Sequence, residues 1–200
     1  MKIGVIILAA GGSSRMGSPK QLLHYRGQSL LRLAVESAIG SLCERVVVVI
    51  GNEAQLMRDE LAGLPVSVVE NGNWRAGMSS SIRAGMEELS KDDPDAVVLM
   101  LCDQPFVTAE ILNELIFTHF KTTEPIVASH YGTTQGAPAF FTRAFFPELL
   151  SLTADQGARR LILKHPHSVA TIDFPQGAFD VDTPGEYELI REVPAHQLDD

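Results

Sequence analysis

Glycines, serines and two cations lie close together near the start of the chain, in the segment LAAGGSSRMGSPKQ at positions 8–21. Glycine lets the main chain turn tightly and approach a ligand closely. Serine adds hydroxyl and N–H donors, while Arg15 and Lys20 bring two positive charges within reach of one anion. This mixture of main-chain donors and cations suits the phosphates of a nucleotide.

Neither of two common phosphate-binding patterns fits this segment. Residues 12–17 match G-x-x-x-x-G, but Ser18-Pro19-Lys20 follows where a lysine and a serine or threonine are required. The dinucleotide pattern G-x-G-x-x-G fails because the glycines stand at positions 11, 12 and 17. By composition alone, a solvated turn with incidental cations is an equally good interpretation. The position of the segment after a predicted strand favours the nucleotide-binding one.

Acidic residues in two distant segments are candidates for binding the metal that accompanies such phosphates. Asp103 follows an apolar run in LCDQP, and Asp180 and Asp182 flank Val181 in FDVDTPGEY. Alternate side chains of an extended segment point to opposite sides, so only one of that pair is expected to face a cleft. Mg²⁺ commonly binds one or two carboxylates, phosphate oxygens and water. Taken alone, these acids are explained better as caps of turns and of the following helix.

Apolar runs alternate with helical patterns and predict the elements that carry these groups. The apolar runs lie at positions 3–10, 45–51, 66–71 and 96–102, and helical patterns follow them at 29–40, 53–63, 79–90 and 108–120. Ser29 is a suitable cap and Gly40 a suitable end for the first helix, serines open the third, and Thr108 caps the fourth. This order predicts an α/β fold, a three-layer Rossmann-like open sheet, mostly parallel, with helices on both faces.

The second half of the chain is less regular and is expected to extend the same sheet. Strand patterns lie at positions 125–131, 137–141 and 167–173, and helical patterns at 143–150 and 155–165. One of these strands is a candidate antiparallel member. We expect one domain over residues 1–190 and a polar tail over residues 191–200.

Ligands of open α/β sheets bind outside the carboxyl ends of the strands. Three segments are expected there: the loop at 8–21, ENGNWRAGMSSS at 70–81 and CDQP at 102–105. The second contains Trp74, expected to pack, and a run from Gly77 to Ser81 whose main chain and hydroxyls suit a base edge. Their convergence predicts a single site.

Composition and charge exclude several classes of protein. The formal net charge of −9 argues against a nucleic-acid-binding or membrane-surface protein, since those use broad basic faces. Cys43 and Cys102 follow no metal-binding spacing and are expected to be reduced structural thiols of a cytoplasmic protein. No apolar segment approaches the roughly 18–20 residues needed to span a bilayer.

Several of these motifs together resemble one protein family. The stretch LAAGGSSRMGSPKQLL is similar to the signature L-A-x-G-x-S-x-R-M-G-x-x-K of the MobA-like nucleotidyltransferases. Matching stretches are GMSSS, CDQP, YGTTQGAPAFF, DQGAR and DVDTP, so the resemblance runs from Val5 to about Ile190. It implies a fold of the nucleotide-diphospho-sugar transferase type. The chain departs from the family at Ala137, where histidine is common, and at Gly185, where an acid is common.

The resemblance implies three groups of site residues. Those expected at the nucleotide are Leu8, Ala9, Ala10, Gly11, Gly12, Ser13, Ser14, Gly77, Ser81 and Asp103. Mg²⁺ or Mn²⁺ is expected at Asp103 and Asp182, and Arg15 and Lys20 are expected to act in catalysis with these two acids. Those expected at the acceptor are Gln135, Gly136, Pro138 and Arg159.

The branch that the motifs resemble most is the molybdenum cofactor cytidylyltransferase type. It implies transfer of CMP from CTP to the terminal phosphate of molybdopterin, with release of pyrophosphate, and a molybdoenzyme that receives the product. Alternatives within the same chemistry are transfer from GTP, or to a sugar or polyol phosphate. A non-catalytic carrier of the cofactor and a nucleotide-binding regulator are alternatives from other classes.

Overall fold

The computed structural model describes residues 1–13 and 16–192, and its strands form one sheet of seven and a separate hairpin. The strands are β1 (Ile3–Ala9), β2 (His24–Tyr25), β3 (Gln28–Ser29), β4 (Arg45–Ile50), β5 (Ser67–Glu70), β6 (Ala96–Leu101), β7 (Ile126–Tyr131), β8 (Thr134–Thr142) and β9 (Val169–Asp173). The helices are α1 (Leu30–Ile39), α2 (Ala54–Glu60), α3 (Met78–Leu89), α4 (Ala109–Thr122), α5 (Phe146–Leu150), α6 (Arg159–Lys164) and α7 (Pro184–Glu192).

The strand order is β5-β4-β1-β6-β8-β7-β9, and β2 pairs with β3 in the separate hairpin. The pairs among β5, β4, β1 and β6 are all parallel, while β8 runs antiparallel to both β6 and β7. The expected antiparallel member is therefore β8, which begins three residues earlier than its sequence pattern suggested. β9 pairs in parallel with β7 at the far edge.

Helices cover both faces of the sheet, as the continuous apolar runs predicted. Val5 and Ile7 of β1 belong to a buried cluster with residues of α1, α2, α4 and α7, whereas Ile6 belongs to a second cluster with α3, α5 and α6. All three side chains are fully buried. Burying one such side chain contributes about 1.5–3 kcal/mol, more than a typical net hydrogen bond of about 1 kcal/mol. Apolar burial therefore decides which segments form the centre.

Two of the predicted helix caps agree with the structure and one does not. The Ser29 side chain caps α1 by accepting a hydrogen bond from the Arg32 N–H, and Gly40 follows its last residue. Thr108 stands at the N-cap of α4, as predicted. The predicted serine cap of α3 is wrong, because the helix begins at Met78 and Gly77 takes the cap position at φ 100°. The three serines lie inside the first turn.

Both cysteines are buried and unpaired, as expected of structural thiols. Within the described part of the chain, the helices are too short or too polar to cross a bilayer. The predicted tail overlaps the end of α7, and its remainder from 193 to 200 lies outside the described residues.

Candidate active site

The carboxyl ends of β1, β5 and β6 bring the three predicted segments to one edge of the sheet, around a cavity of about 460 Å³. Ligand sites commonly have volumes of roughly 300–1,000 Å³. Its walls include the predicted nucleotide-binding residues Leu8, Ala9, Ala10, Gly11, Gly12, Gly77, Ser81 and Asp103. Lys20 also lines the cavity. Ser14 and Arg15, both predicted site residues, lie outside the described residues.

The loop after β1 is held in shape by polar side chains next to Lys20. The Ser13 hydroxyl accepts a hydrogen bond from the Lys20 main-chain N–H at 3.0 Å and donates to Gln21 Oε1 at 3.2 Å. Gln21 Nε2 donates to the carbonyls of Ala9 at 2.9 Å and Gly11 at 2.8 Å. The Ser13 hydroxyl thus stabilises the loop itself, a role that its assignment to the nucleotide did not anticipate.

Gly11 and Gly12 present main-chain donors at the cavity wall. Their N–H groups make no hydrogen bond to any residue that the structure describes, so they can donate to an anion. Gly12 lies against the Trp74 ring, and a Cβ at this position would stand 2.8 Å from an indole carbon. Arg75 stacks over the same ring at 4.5 Å from its centroid. Trp74 therefore packs, as expected, and also forms part of the cavity wall.

Lys20, Asp103 and Asp182 form a single cluster, although they are far apart in sequence. Lys20 Nζ donates to Asp103 Oδ2 and, at 2.6 Å, to Asp182 Oδ1. The side chains of Lys20 and Asp103 are each 14% exposed, and that of Asp182 is 33% exposed. The main-chain N–H of Val181 donates to the Asp103 carbonyl at 3.0 Å and joins the two acidic segments directly.

Electrostatics keep the Lys20 ammonium charged. Burial alone would lower the pKa of Lys20, but the charge of Asp103 and the hydrogen bonds with Asp103 and Asp182 outweigh it, so the net effect raises the pKa. Asp103 Oδ1 is buried and has no hydrogen-bond partner in the described part of the chain. Burial raises the pKa of the neighbouring Cys102 thiol, so this residue remains a neutral part of the wall.

The Asp182 carboxylate is not the cap of the following helix, which was the simplest structural explanation for it. That function belongs to Thr183 and Glu186. Glu186 Oε2 accepts from the main-chain N–H groups of Asp182 at 2.9 Å and Thr183 at 2.8 Å, and the Glu186 N–H donates back to the Thr183 hydroxyl at 3.3 Å. This reciprocal arrangement is a capping box, and the Asp182 carboxylate contacts Lys20.

Of the acidic pair, Asp180 lines one of the two cavities, whereas Asp182 lines neither and contacts Lys20. Residues 179–182 belong to no strand, so side chains two apart need not point to opposite sides of a pleat. Asp180 lines a second cavity beside the first. Although this residue is exposed in part, removal from water and then the charges of Asp103 and Asp182 raise the pKa of Asp180 to about 7.

The residues of the cluster fit a hard divalent cation. Two carboxylates already enclose one positive charge, and Asp103 Oδ1 offers an unused buried acceptor. No group of three or more histidine, cysteine or acidic side chains forms a metal site among residues 1–13 and 16–192. Water and, when a nucleotide is bound, phosphate oxygens would complete the coordination. Lys20 Nζ already contacts both carboxylates and would compete with the metal for them.

Gly77 and Ser81 are the residues expected at the base of a nucleotide. Gly77 has φ 100°, and a Cβ there would stand 2.4 Å from the carbonyl carbon of Ala154, so no larger residue fits this approach. The Ser81 hydroxyl accepts a hydrogen bond from Asn71 Nδ2 at 3.0 Å, which leaves its own O–H able to donate. Both residues line the cavity of about 460 Å³.

A second cavity of about 340 Å³ adjoins the first, and the two share Leu8, Met78, Leu101 and Asp155 in their walls. Of the predicted acceptor residues, Gly136 and Arg159 line it. Gln135 and Pro138 lie on β8 beside it without contributing to its wall, and Pro138 is buried. Their assignment to the acceptor remains a prediction.

Three residues at the cavities were missed in the sequence as site residues. Gln21 anchors the loop, Asp155 lines both cavities, and the Tyr131 hydroxyl lies within 2.3 Å of where a Gly136 Cβ would stand. Gln21 follows Lys20 directly in the quoted stretch LAAGGSSRMGSPKQLL, just past the end of the family signature, and Asp155 was noted only as part of DQGAR. Tyr131 was noted only as the first residue of YGTTQGAPAFF.

Comparison with known proteins places the chain among nucleotidyltransferases. A model of the MobA-like NTP transferase domain matches residues 5–169. Nicotine blue oxidoreductase of Paenarthrobacter nicotinovorans is 30% identical over 89% of this chain and 91% of its own length. Purine catabolism protein PucB of Bacillus subtilis is 27% identical over 94% and 95%. Molybdenum cofactor cytidylyltransferase of Escherichia coli is 22% identical over 95% and 96%.

Solved structures agree in fold. Rv0371c of Mycobacterium tuberculosis, solved in complex with manganese, has a TM-score of 0.80 and 29% identity, and the match covers 97% of this chain and 100% of that one. CMP:2-keto-3-deoxy-manno-octonic acid synthetase complexed with CTP has a TM-score of 0.76 over 98% and 100%. At 15% identity, the latter match shows the fold alone. The predicted Rossmann-like fold is confirmed.

Proposed function

Since the chain belongs to the MobA-like NTP transferase family, we propose that it transfers CMP from CTP to the terminal phosphate of a molybdopterin and releases pyrophosphate. Nucleotidyl transfer is the chemistry of the family. The choice of CTP and of a molybdopterin rests on the sequence motifs and on the relative from E. coli named a molybdenum cofactor cytidylyltransferase.

One observation carries the proposal. The glycine loop, Lys20, Asp103 and Ser81 surround one cavity, and the neighbouring cavity with Arg159 shares part of its wall. Two ligands bound side by side could bring an acceptor phosphate next to the α-phosphorus of the nucleotide. Holding two reactants in this way removes much of the entropic cost of their encounter.

The reaction needs no general base. An oxygen of the acceptor phosphate, already ionised near neutral pH, would attack the α-phosphorus, and the bond from that phosphorus to the oxygen bridging toward the β-phosphate would break. Pyrophosphate leaves with the electrons of that bond. The N–H groups of Gly11 and Gly12 would orient the phosphates, and the Lys20 ammonium, with Arg15, would stabilise charge on the leaving group.

Asp103 and Asp182 would hold Mg²⁺ or Mn²⁺, which would supply neutralisation of the phosphate charge. In the structure the Lys20 ammonium contacts these same carboxylates. We therefore expect Lys20 to release them when a metal–nucleotide complex binds and to move its charge toward the phosphates. A neutral Cys102 and the apolar wall would strengthen these interactions by excluding water.

A pyrophosphate-release assay tests the proposal. CTP and GTP should each be supplied in Mg²⁺ with and without molybdopterin, and release should require CTP together with the acceptor. If pyrophosphate were released with GTP and not with CTP, the nucleotide would be assigned as GTP. Tight molybdopterin binding without release would favour a carrier. A melting-temperature comparison of CTP with GTP gives the base preference independently, since tighter binding to the folded state raises the melting temperature further.

The cellular setting follows from the same proposal. The buried, unpaired cysteines suit the reducing cytoplasm. The cytidylylated cofactor would pass to a molybdoenzyme that carries it as its prosthetic group. Pull-down of such an enzyme from cells making the cofactor, compared with cells that lack it, tests this expectation.

A further inference from the structure

Gln21 is a buried polar residue whose side chain is devoted to the glycine loop. The residue is 1% exposed, and its amide makes three hydrogen bonds. The two donated bonds reach the carbonyls of Ala9 and Gly11, on either side of Ala10. The accepted bond comes from the Ser13 hydroxyl. Its polar side-chain contacts therefore all belong to residues 9–13.

The same network sets the position of Lys20. Ser13, held by Gln21, accepts a hydrogen bond from the Lys20 main-chain N–H at 3.0 Å. Lys20 and Gln21 begin a short 3₁₀ turn, Lys20–Leu22. Gln21 therefore holds the loop carbonyls directly and positions the main chain of Lys20 through Ser13.

Carbonyl oxygens beside a phosphate site repel the phosphate unless they accept hydrogen bonds from the protein. By binding the carbonyls of Ala9 and Gly11, the Gln21 amide engages the negative ends of those peptide dipoles. The N–H groups of Gly11 and Gly12, unbonded to the described residues, are left for an anion. Only a side chain with two donors and one acceptor satisfies all three partners at once.

We infer that Gln21 is a positioning residue for nucleotide binding. It acts through the glycine loop and Lys20, and it determines affinity for the triphosphate more than the stability of the fold. This inference rests on the proposed function, because the loop is taken to hold a triphosphate. Gln21 lines the cavity, but its polar atoms are directed at the loop.

The first test replaces Gln21 with methionine, which has similar length and no amide. CTP affinity in Mg²⁺, measured by calorimetry without acceptor, is expected to fall about tenfold to a hundredfold, because the glycine loop and Lys20 are no longer held in position for the phosphates. KM for CTP should rise by more than kcat falls. Gln28→Met is the matched control, since Gln28 donates to Glu36 at 2.9 Å in a different part of the chain. It should leave CTP affinity unchanged.

The second test uses Gln21→Glu, which is isosteric but places a carboxylate against two carbonyls. Protonation returns one O–H donor, so CTP affinity of this variant should recover as the pH falls from about 8 to about 5. The affinity should be expressed relative to Gln21→Met at each pH, which cancels the titration of CTP itself. A flat ratio would contradict a role for the donated hydrogen bonds.

Ser13→Ala keeps the inference testable if both Gln21 variants fold poorly. It removes a single member of the network and should weaken CTP binding by a smaller factor. Combined with Gln21→Met, its effect should be less than multiplicative, because both changes disrupt the same hydrogen bonds.

The outcomes separate this inference from the proposed function. A wild-type chain that binds neither CTP nor GTP overturns both. A wild-type chain that binds CTP, with Gln21→Met binding it equally well, overturns only the inference. A Gln21→Met protein with a lower melting temperature but unchanged CTP affinity in its folded fraction would show a purely structural role and overturn the inference as well.

Discussion

Replacing Lys20 with methionine tests whether this lysine and a divalent metal compete for the same two acids. The substitution keeps most of the aliphatic chain and removes the ammonium. Asp103 and Asp182 then lose the cation that each contacts at Nζ. Asp103 Oδ1 has no hydrogen-bond partner among the described residues even in the wild-type cluster.

The expected loss of stability follows from burial. Removing one partner of a fully buried ion pair costs about 3–5 kcal/mol. The Lys20 and Asp103 side chains are 14% exposed and that of Asp182 is 33% exposed, so solvent screening reduces this to about 2–3 kcal/mol. For a chain of 200 residues this corresponds to a melting temperature about 4–12 °C lower.

Manganese should reverse that loss in the variant more than it stabilises the wild type. In Lys20→Met a metal meets two acids with no competing ammonium, and at a hundredfold excess over its Kd it would contribute about 2.7 kcal/mol. In the wild type without nucleotide it must first displace Lys20. The assay is a melting curve of each protein against Mn²⁺ concentration, with CTP absent.

Lys91→Met is the matched control, because Lys91 pairs with Glu88 on an exposed surface. That variant should melt within about 1 °C of the wild type and respond to Mn²⁺ as the wild type does. If wild type and Lys20→Met gained equal stability from Mn²⁺, the competition argument would be refuted. A variant that gains nothing from Mn²⁺ would remove the two acids from consideration as metal ligands.

Three further predictions concern the same edge of the sheet. Asp103→Asn and Asp182→Asn should each remain folded, as judged by circular dichroism. Each should slow nucleotidyl transfer by at least about a hundredfold, because each removes charge where phosphate charge must be balanced. Near-normal turnover in Mg²⁺ would show that the metal assignment is wrong. Because the pKa of Asp180 rises in the fold from 3.8 to about 7, the folded protein retains a proton that the unfolded chain releases, and stability falls as pH rises between those values. Asp180→Asn should remove that decline and raise the free energy of unfolding by up to about 1 kcal/mol above pH 7, a small gain because this residue is partly exposed. Melting temperatures of the two proteins that change in parallel from pH 4 to pH 8 would contradict this prediction. Gly77→Ala should lower the free energy of unfolding by at least about 2 kcal/mol, because it combines φ 100° with a clash at Ala154. Gly185→Ala is the control, since a Cβ at this position of α7 meets nothing within 4 Å. It should be neutral or slightly stabilising in chemical denaturation.

Local patterns were sufficient for most elements of the fold, although not for the hairpin of β2 and β3. Continuous apolar runs predicted strands buried on both faces, and β1, β4 and β6 lie where those runs do. Side-chain periodicity is a local property of the chain, so it can be read without knowing what packs against it. The N-cap at Ser29 was found for the same reason, because a capping side chain bonds within its own first turn. The start of α3 was missed, since it depends on the contact of Gly77 with Ala154.

By itself, the sequence determined the α/β class, the edge of the sheet at which the glycine-rich loop lies, and a family resemblance that the comparisons confirm. Only the tertiary structure decided that Lys20 contacts two acids, one 83 and the other 162 residues away, and that Asp180 lines the second cavity. It also decided that Gln21 is bonded to the loop. These relations depend on chain segments meeting in space, and no local period of a sequence encodes the distance between residues that folding brings together.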